Sequence, residues 1–425
     1  MKKRTSALLV LILATALCAL CLPSCAYGED REYRFGTYRY TVENEQVTIT
    51  KYTGAAANVT VPESIDGMPV VAIGDQAFDN LLLLKSVTLP DSIVRIDFWA
   101  FHDCPLLERI TLGRGVRVIG SYLLASCDNV IYNEYEGGYY VGNDENPYMA
   151  LVSVASTEAQ AFTFHPDTVL ICGGALRGCY KLRDIAFPDG VLSLGTAALE
   201  YCSSLETVRL PKSVESIGSW VFERCKSLQS IVVAEDNPHF KSVDGALLSG
   251  DGSRLIKYAG ARTDGIYHIP DGTVTIDRLA FERANHLTRV IFPDSVEMIG
   301  HQAFLECENL ADIQFGKGLK MIDGQAFGFC SSLTEVVIPD SVEELSYSVF
   351  SECKSLETVV IGSGVTSLGH EAFLGCDALR EVTFKDPGGW KYGSMYRFPK
   401  SIDVSDPEQN AKYLTGEYRG FAWFK

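Results

Sequence analysis

Residues 330–352 read Cys330-Ser331-Ser332-Leu333-Thr334-Glu335-Val336-Val337-Ile338-Pro339-Asp340-Ser341-Val342-Glu343-Glu344-Leu345-Ser346-Tyr347-Ser348-Val349-Phe350-Ser351-Glu352, and at Cys353 the same order begins again. The template is C-x-x-L-x-x-I-x-L-P-x-S-V-x-x-I-G-x-x-A-F-x-x. Its Phe position is filled in turn by Phe78, Phe101, Leu124, Leu176, Leu199, Phe222, Phe281, Phe304, Phe327, Phe350 and Phe373. Eight of the ten steps between these residues are 23 residues long. Leu124 to Leu176 spans 52, one repeat plus 29, and Phe222 to Phe281 spans 59, one repeat plus 36. The chain therefore holds about eleven coils, with insertions near 133–165 and 235–268.

In the coil from Cys330 the apolar residues Leu333, Val336, Ile338, Val342, Leu345 and Phe350 sit between polar ones. Six such side chains cannot offset the conformational entropy of ordering a whole coil, so a single coil does not fold alone. Stacked coils bury each other's faces and share backbone hydrogen bonds, which is how a solenoid is stabilised. The segment L-x-x-I-x-L, as in Leu205-Glu206-Thr207-Val208-Arg209-Leu210, alternates with period two and predicts a short strand. Equivalent strands are expected to pair in parallel about 4.8 Å apart. A turn follows, built on Pro (Pro90, Pro188, Pro211, Pro293, Pro339) or on Gly-x-Gly (Gly113 and Gly115, Gly316 and Gly318, Gly362 and Gly364). The V-x-x-I-G stretch predicts a second strand and A-F-x-x-C a tight helical turn. Its Gly position holds Gly74, Gly120, Gly195, Gly218, Gly300 and Gly369, with Asp97, Asp277, Asp323 and Ser346 elsewhere, which points to a backbone near positive φ.

The Gly-x-Gly pairs are no dinucleotide fingerprint, since neither a third glycine nor a helix follows at the required spacing. The 425 residues carry 37 Lys+Arg against 54 Asp+Glu, a formal charge of −17, which argues against a nucleic-acid partner. A hydrophobic content of 47% excludes a disordered chain.

Lys2, Lys3 and Arg4 precede an uncharged, mostly apolar run from Ala7 to Cys21. That run is too short to span a bilayer and fits a secretory leader over residues 1–25. Its removal leaves the exported chain at about −20. Leu22-Pro23-Ser24-Cys25 resembles a bacterial lipobox, which would make Cys25 a lipidated N-terminus and anchor the chain to a membrane. Ordinary cleavage after Ala26, with Ser24 and Ala26 as the small residues, is the alternative. An intact mass with or without a lipid adduct decides between them.

Cys104, Cys127, Cys179, Cys202, Cys225, Cys307, Cys330, Cys353 and Cys376 all occupy the first template position, three residues after the Phe position. A spacing of 23 offers no pair of metal ligands close in sequence, and the mature chain lacks Cys-x-x-Cys, so these read as buried, unpaired thiols acting as small hydrophobes. Neither a metal nor another cofactor is expected.

The template, with its I-P-x-S-V-x-x-I-G-x-x-A-F core, resembles the BspA-like leucine-rich repeat family of bacterial surface proteins. Val59-Thr60-Val61-Pro62 with Ile65-Asp66-Gly67-Met68-Pro69-Val70 is similar to that family's lead-in to its first coil, and the tail from Lys385-Asp386-Pro387 to Trp423 to its C-terminal segment. The resemblance covers residues 31–425. It implies a mainly β leucine-rich repeat solenoid, export, display at the cell surface, and binding to a protein or glycan on a host or neighbouring cell. It supplies neither a ligand nor catalytic residues.

The expected organisation is a leader (1–25), an N-terminal β cap (26–69), the solenoid (70–384) and a C-terminal cap (385–425). Tyr33, Phe35, Tyr38 and Tyr40 alternate with polar residues in the first cap. In the tail, Ser405-Asp406-Pro407-Glu408 and a run ending at Gly416 predict a short capped helix. The first insertion is rich in tyrosine (Tyr135, Tyr139, Tyr140, Tyr148) and reads as a packed β excursion. The Gly250-Asp251-Gly252 tip of the second reads as a hairpin turn, not a calcium loop.

The seven histidines (His102, His165, His239, His268, His286, His301, His370) fall on different template positions and form no His-Glu-x-x-His, so no catalytic residues are assigned and no enzyme is expected. The candidate binding surface is the outward face of the strands in the C-terminal half. One row there reads Ile291, Gln314, Val337, Val360, Thr383 and its neighbour Arg289, Asp312, Glu335, Thr358, Glu381. An apolar row beside a mostly acidic one marks an interface, although β-branched residues also favour exposed strands for their own reasons. A passive structural envelope protein without a dedicated ligand is the alternative function.

Overall fold

The computed structural model describes residues 31–394 and 397–425, so the leader and Cys25 lie outside the described residues. The chain is a mainly β parallel solenoid of about fifteen turns. Each coil contributes two strands. The L-x-x-I-x-L segments form a first ladder of four three-stranded parallel sheets, for example Glu335–Val337, Thr358–Ile361 and Glu381–Phe384. The V-x-x-I segments form a second ladder of two-residue strands, such as Met321–Ile322, Glu344–Leu345 and Ser367–Leu368, in parallel register. Leu333, Val336, Ile338, Val342, Leu345, Val349 and Phe350 of one coil are all buried, while Glu335 and Val337 face solvent.

The turn count exceeds the eleven template coils because three antiparallel meanders each lend their last strand to the second ladder. These are Tyr33–Phe35, Tyr38–Glu43, Gln46–Tyr52; then Asn133–Tyr135, Gly138–Val141, Ala150–Val154; then Phe240–Val243, Ala246–Ser249, Arg254–Tyr258. Val47 pairs with Val70, Leu151 with Ile171 and Leu255 with Ile276, all in parallel. At the far end Ala422–Phe424 pairs antiparallel with Ser367–Leu368, adds the last rung, and puts Trp423 beside Leu368. Trp390 and Trp423 are buried there and cover the last core. The helix Pro407–Lys412 starts at Asp406, whose carboxylate accepts the backbone N–H groups of Glu408 and Gln409.

The second insertion repeats the first cap in detail. Lys51-Tyr52-Thr53-Gly54-Ala55 matches Lys257-Tyr258-Ala259-Gly260-Ala261. The Lys51 ammonium donates to the Gln76 carbonyl (3.1 Å) and the Lys257 ammonium to Leu279 (2.8 Å). Tyr52 N–H donates to Ala77 O and Tyr258 N–H to Ala280 O, and each ring stacks on the next Phe, at 5.3 Å for Phe78 and 4.9 Å for Phe281. Buried side chains accordingly form two clusters, one from Tyr38 to Ala259 and one from Ala246 to Trp423. By its buried core the solenoid is two arrays in series, each opened by a meander, with the Asn133–Val154 meander starting a further sheet within the first.

Two local expectations are corrected. The A-F-x-x-C segment is not helical: it is a run of tight turns with two left-handed residues per coil, for example Gln325 (φ 55°) and Phe329 (φ 61°). Alternate N–H groups there point along the stack, so that Gln325, Phe327 and Phe329 donate to Tyr347, Val349 and Ser351 of the next coil, a third intercoil ladder that a helix would consume internally. The template glycines are not the positive-φ residues either. Gly195 is kept small by contact, since a Cβ there would lie 2.4 Å from the Gly173 nitrogen.

Gly-x-Gly has the same cause. A Cβ on Gly113 would lie 2.0 Å from the Pro90 carbonyl oxygen. Each such pair follows a coil with Pro-Asp, whose carboxylate accepts the N–H between the two glycines: Asp91 from Arg114 (2.8 Å), Asp294 from Lys317 (2.8 Å) and Asp340 from Ser363 (2.9 Å). That N–H, with its Arg114 partner, holds the Asp91 carboxyl below the usual carboxylate range.

Candidate binding surface

Strand pleating alone points residues flanking an inward Val or Ile away from the core. Glu335, Val337, Gln314, Asp312, Glu381 and Thr383 are exposed, and Arg289, Ile291, Thr358 and Val360 are half-buried against their neighbours. Register places Arg289 beside Asp312 and Ile291 beside Gln314 on one sheet, and Glu335, Thr358, Glu381 and Val337, Val360, Thr383 side by side on another. The two rows are thus real but divided, because the strands Asp312–Gln314 and Glu335–Val337 belong to separate sheets.

The two patches differ in charge. Arg289 Nε lies 3.0 Å from Asp312 and its Nη2 donates to Gln314 (3.0 Å), so the first patch is neutralised internally. The second keeps Glu335 and Glu381 exposed around Val337, which is 54% exposed. Ile266 and His268 extend the first patch, in register with Arg289 and Ile291, and were overlooked because the insertion hides their coil. Ile269-Pro270, the template's L-P step, was the signal that could have found them.

A second surface was not legible at all. The exposed aromatics Tyr122, Tyr201, Trp220 and Phe329, with half-buried Trp99, occupy variable template positions that the fold turns outward at left-handed residues. Trp99 and Tyr122 rings lie 6.2 Å apart, Arg177 donates to the Tyr122 hydroxyl (3.0 Å), and the same guanidinium covers Tyr201 at 5.5 Å.

The template cysteines face no solvent. Eight of them donate S–H to the carbonyl of the residue 26 earlier, as Cys330 does to Phe304 (3.4 Å) and Cys353 to Phe327 (3.1 Å). All ten described cysteines are free and buried, including Cys172 outside the column. Burial pushes the Cys307 and Cys172 thiols up to about 12 and those of Cys330 and Cys353 well up, which makes them poor nucleophiles. Among the described residues no cluster of three His, Cys, Asp or Glu could hold a metal ion, and no helix is long and apolar enough to cross a membrane.

The BspA type leucine rich repeat region, in six copies, matches residues 51–139, 154–243 and 267–387. A leucine-rich cell-surface protein of Faecalibacterium prausnitzii A2-165 is similar at 26% identity and a TM-score of 0.46, covering 86% of this chain and 96% of that one. The pneumococcal vaccine antigen PcpA is similar at 22% identity and 0.49, covering 84% and 88%. A leucine-rich repeat protein of Bacteroides ovatus follows at 19% and 0.41, covering 82% and 94%. No curated protein matches the sequence.

Proposed function

Because the chain belongs to the BspA type leucine-rich repeat family, we propose that it is an exported, surface-displayed binding module, adhesin-like, for a protein or glycan on a host or neighbouring cell. Export rests on the basic start and apolar run of residues 2–21, and anchoring on lipidation of Cys25. No chemical step belongs to this reading.

The observation that carries the binding role is the second outward patch. Val337 and Val360 lie side by side in register, their side chains contribute little to the core, and Glu335 and Glu381 leave the flanking row acidic. Exposed Val337 with half-buried Val360, beside carboxylates without an ion pair among the described residues, suits a partner surface that is apolar with a basic rim. Replacing Val337 and Val360 together by Lys is expected to change stability by less than about 0.5 kcal/mol and to abolish capture of the mature chain on cells or glycan arrays that bind the wild type. Retained capture would move the site elsewhere. Absence of capture by the wild type itself would favour a passive envelope role.

A further inference from the structure

In a chain of net charge −17, one coil of the turn ridge presents two cations, Arg224 and Lys226, two residues apart. At the left-handed position after the Phe column, three successive coils carry Gly178 (φ 75°), Tyr201 (φ 61°) and Arg224 (φ 61°). Two residues further on they carry Tyr180, Ser203 and Lys226. Elsewhere the same two positions hold Asp103 and Asp128 towards the N-terminus, and Arg283, Glu306, Glu308, Glu352 and Lys354 towards the C-terminus, so that Arg224 and Lys226 are the one coil with a cation at both.

These six residues line an open cavity of about 360 Å³. Gly178 and Ser203 leave the space, and Tyr180 and Tyr201, 41% and 47% exposed, stand beside it. The Arg177 guanidinium lies 5.5 Å from the Tyr201 ring centre and the Lys181 ammonium 5.9 Å from that of Tyr180. Most of these cations are already answered: Arg177 by Glu200 (2.6 Å), Lys181 by Glu158 (2.6 Å) and Arg224 by buried Glu282 (3.5 Å). Lys226 has no ion pair among the described residues and is exposed.

We propose that this cavity binds a carboxylated sugar, a hexuronic acid unit of an acidic polysaccharide. The apolar face of a pyranose ring packs on an exposed tyrosine, its hydroxyls find the Ser203 and tyrosine hydroxyls, and its carboxylate meets the unpaired Lys226. The volume lies at the small end of ligand sites, about 300–1,000 Å³, which suits one or two rings. An acidic peptide fits less well. Peptides bound in extended form need free main-chain groups, and here the backbone is used within the solenoid: Gly178 N–H donates to Glu200, Tyr201 N–H to Glu223, and Tyr180 N–H to Gly178.

The test is calorimetric titration of the mature full-length chain with tri-galacturonate, the neutral galactose trimer and tetra-glutamate. Tri-galacturonate is expected to bind, to weaken as salt rises, and to bind at least tenfold more tightly than the other two probes. Lys226→Ala and Tyr201→Ala should each weaken it at least tenfold. Lys226 is exposed and unpaired, so the first variant keeps the fold, and protection of the buried thiols verifies this for both. The Val337→Lys, Val360→Lys double variant should leave the titration unchanged, which separates this site from the sheet patch. No binding of tri-galacturonate, equal binding of either other probe, or indifference to Lys226→Ala would overturn the assignment.

Discussion

The two arrays obey one template with different interiors. From residue 240 onward the ring column is unbroken: Tyr258, Phe281, Phe304, Phe327, Phe350 and Phe373 stack at 4.5–5.8 Å with no insertion between them. The array before it begins the same way, with Tyr52, Phe78 and Phe101 at 5.3 and 5.1 Å, then changes to Leu124, Leu176 and Leu199 before returning to Phe222. Its insertion follows Leu124, the first column position without a ring. Flat rings in a column prefer a parallel, offset orientation to the next ring, whereas leucine packs without that orientation. The ring column therefore continues unbroken only where no insertion interrupts the coils.

That contrast can be broken most forcefully at its centre. Phe327→Ala removes a fully buried ring stacked on both sides. It should cost about 3–5 kcal/mol, exceeding Leu199→Ala by the ring–ring contribution of about 0.5–1.5 kcal/mol. Trp390 and Trp423 report the second array and Trp99 and Trp220 the first, so denaturant unfolding of single-tryptophan variants should show the loss mainly in the second pair. An equal shift in all four would mean that the arrays do not unfold separately.

The junction comes next. Glu282, 7% exposed, lies 3.5 Å from Arg224 of the first array and 3.6 Å from Arg283 of its own. Glu282→Ala removes the carboxylate that the two guanidinium groups share and leaves Arg224 only Glu223 and Arg283 only Glu306, at a cost of about 1–3 kcal/mol, and should widen the gap between the two transitions. Unchanged coupling would show that apolar contacts alone join the arrays.

A pH profile sharpens the comparison from the other side. Burial raises the Asp97 carboxyl to about 6, although Arg95 at 2.9 Å pulls it down. The unfolded carboxyl ionises near 3.9, so between these values the folded chain holds the extra proton. The contribution of Asp97 to the first array should then be fully present below about pH 4 and be lost as pH rises through about 6, by roughly 2 kcal/mol at most. Asp97→Asn should flatten that slope, and a slope surviving the change would exonerate Asp97.

The smallest effect is expected at the cysteines. Cys330→Ala loses one S–H donor to the Phe304 carbonyl, about 1 kcal/mol, and the coil at Ala284 already lives without such a donor. Thiol counts of the denatured chain with and without reductant should agree. A higher count with reductant would mean that bridges form between adjacent rungs.

The coil, its period, the inward residues and the cysteine column were legible because each depends on position within 23 residues. Gly113 and Gly195 show where such reading fails. Their smallness was visible, but the reason is a backbone one coil away, not their own φ. The second insertion was seen as an interruption, yet Lys257-Tyr258 with Gly260 repeats Lys51-Tyr52 with Gly54 and was open to comparison.

What the sequence by itself determined is the repeat, because stacking demands the same apolar side chain at the same place in every coil, and chemistry that recurs is visible without coordinates. What only the tertiary structure decided is the division into two cores, the break between the Asp312 and Glu335 strands, and the meeting of Tyr180, Tyr201 and Lys226 around one cavity. Those residues stand at variable positions 21–25 apart. Nothing in a single coil relates them, and they become neighbours only when parallel pairing sets successive coils about 4.8 Å apart.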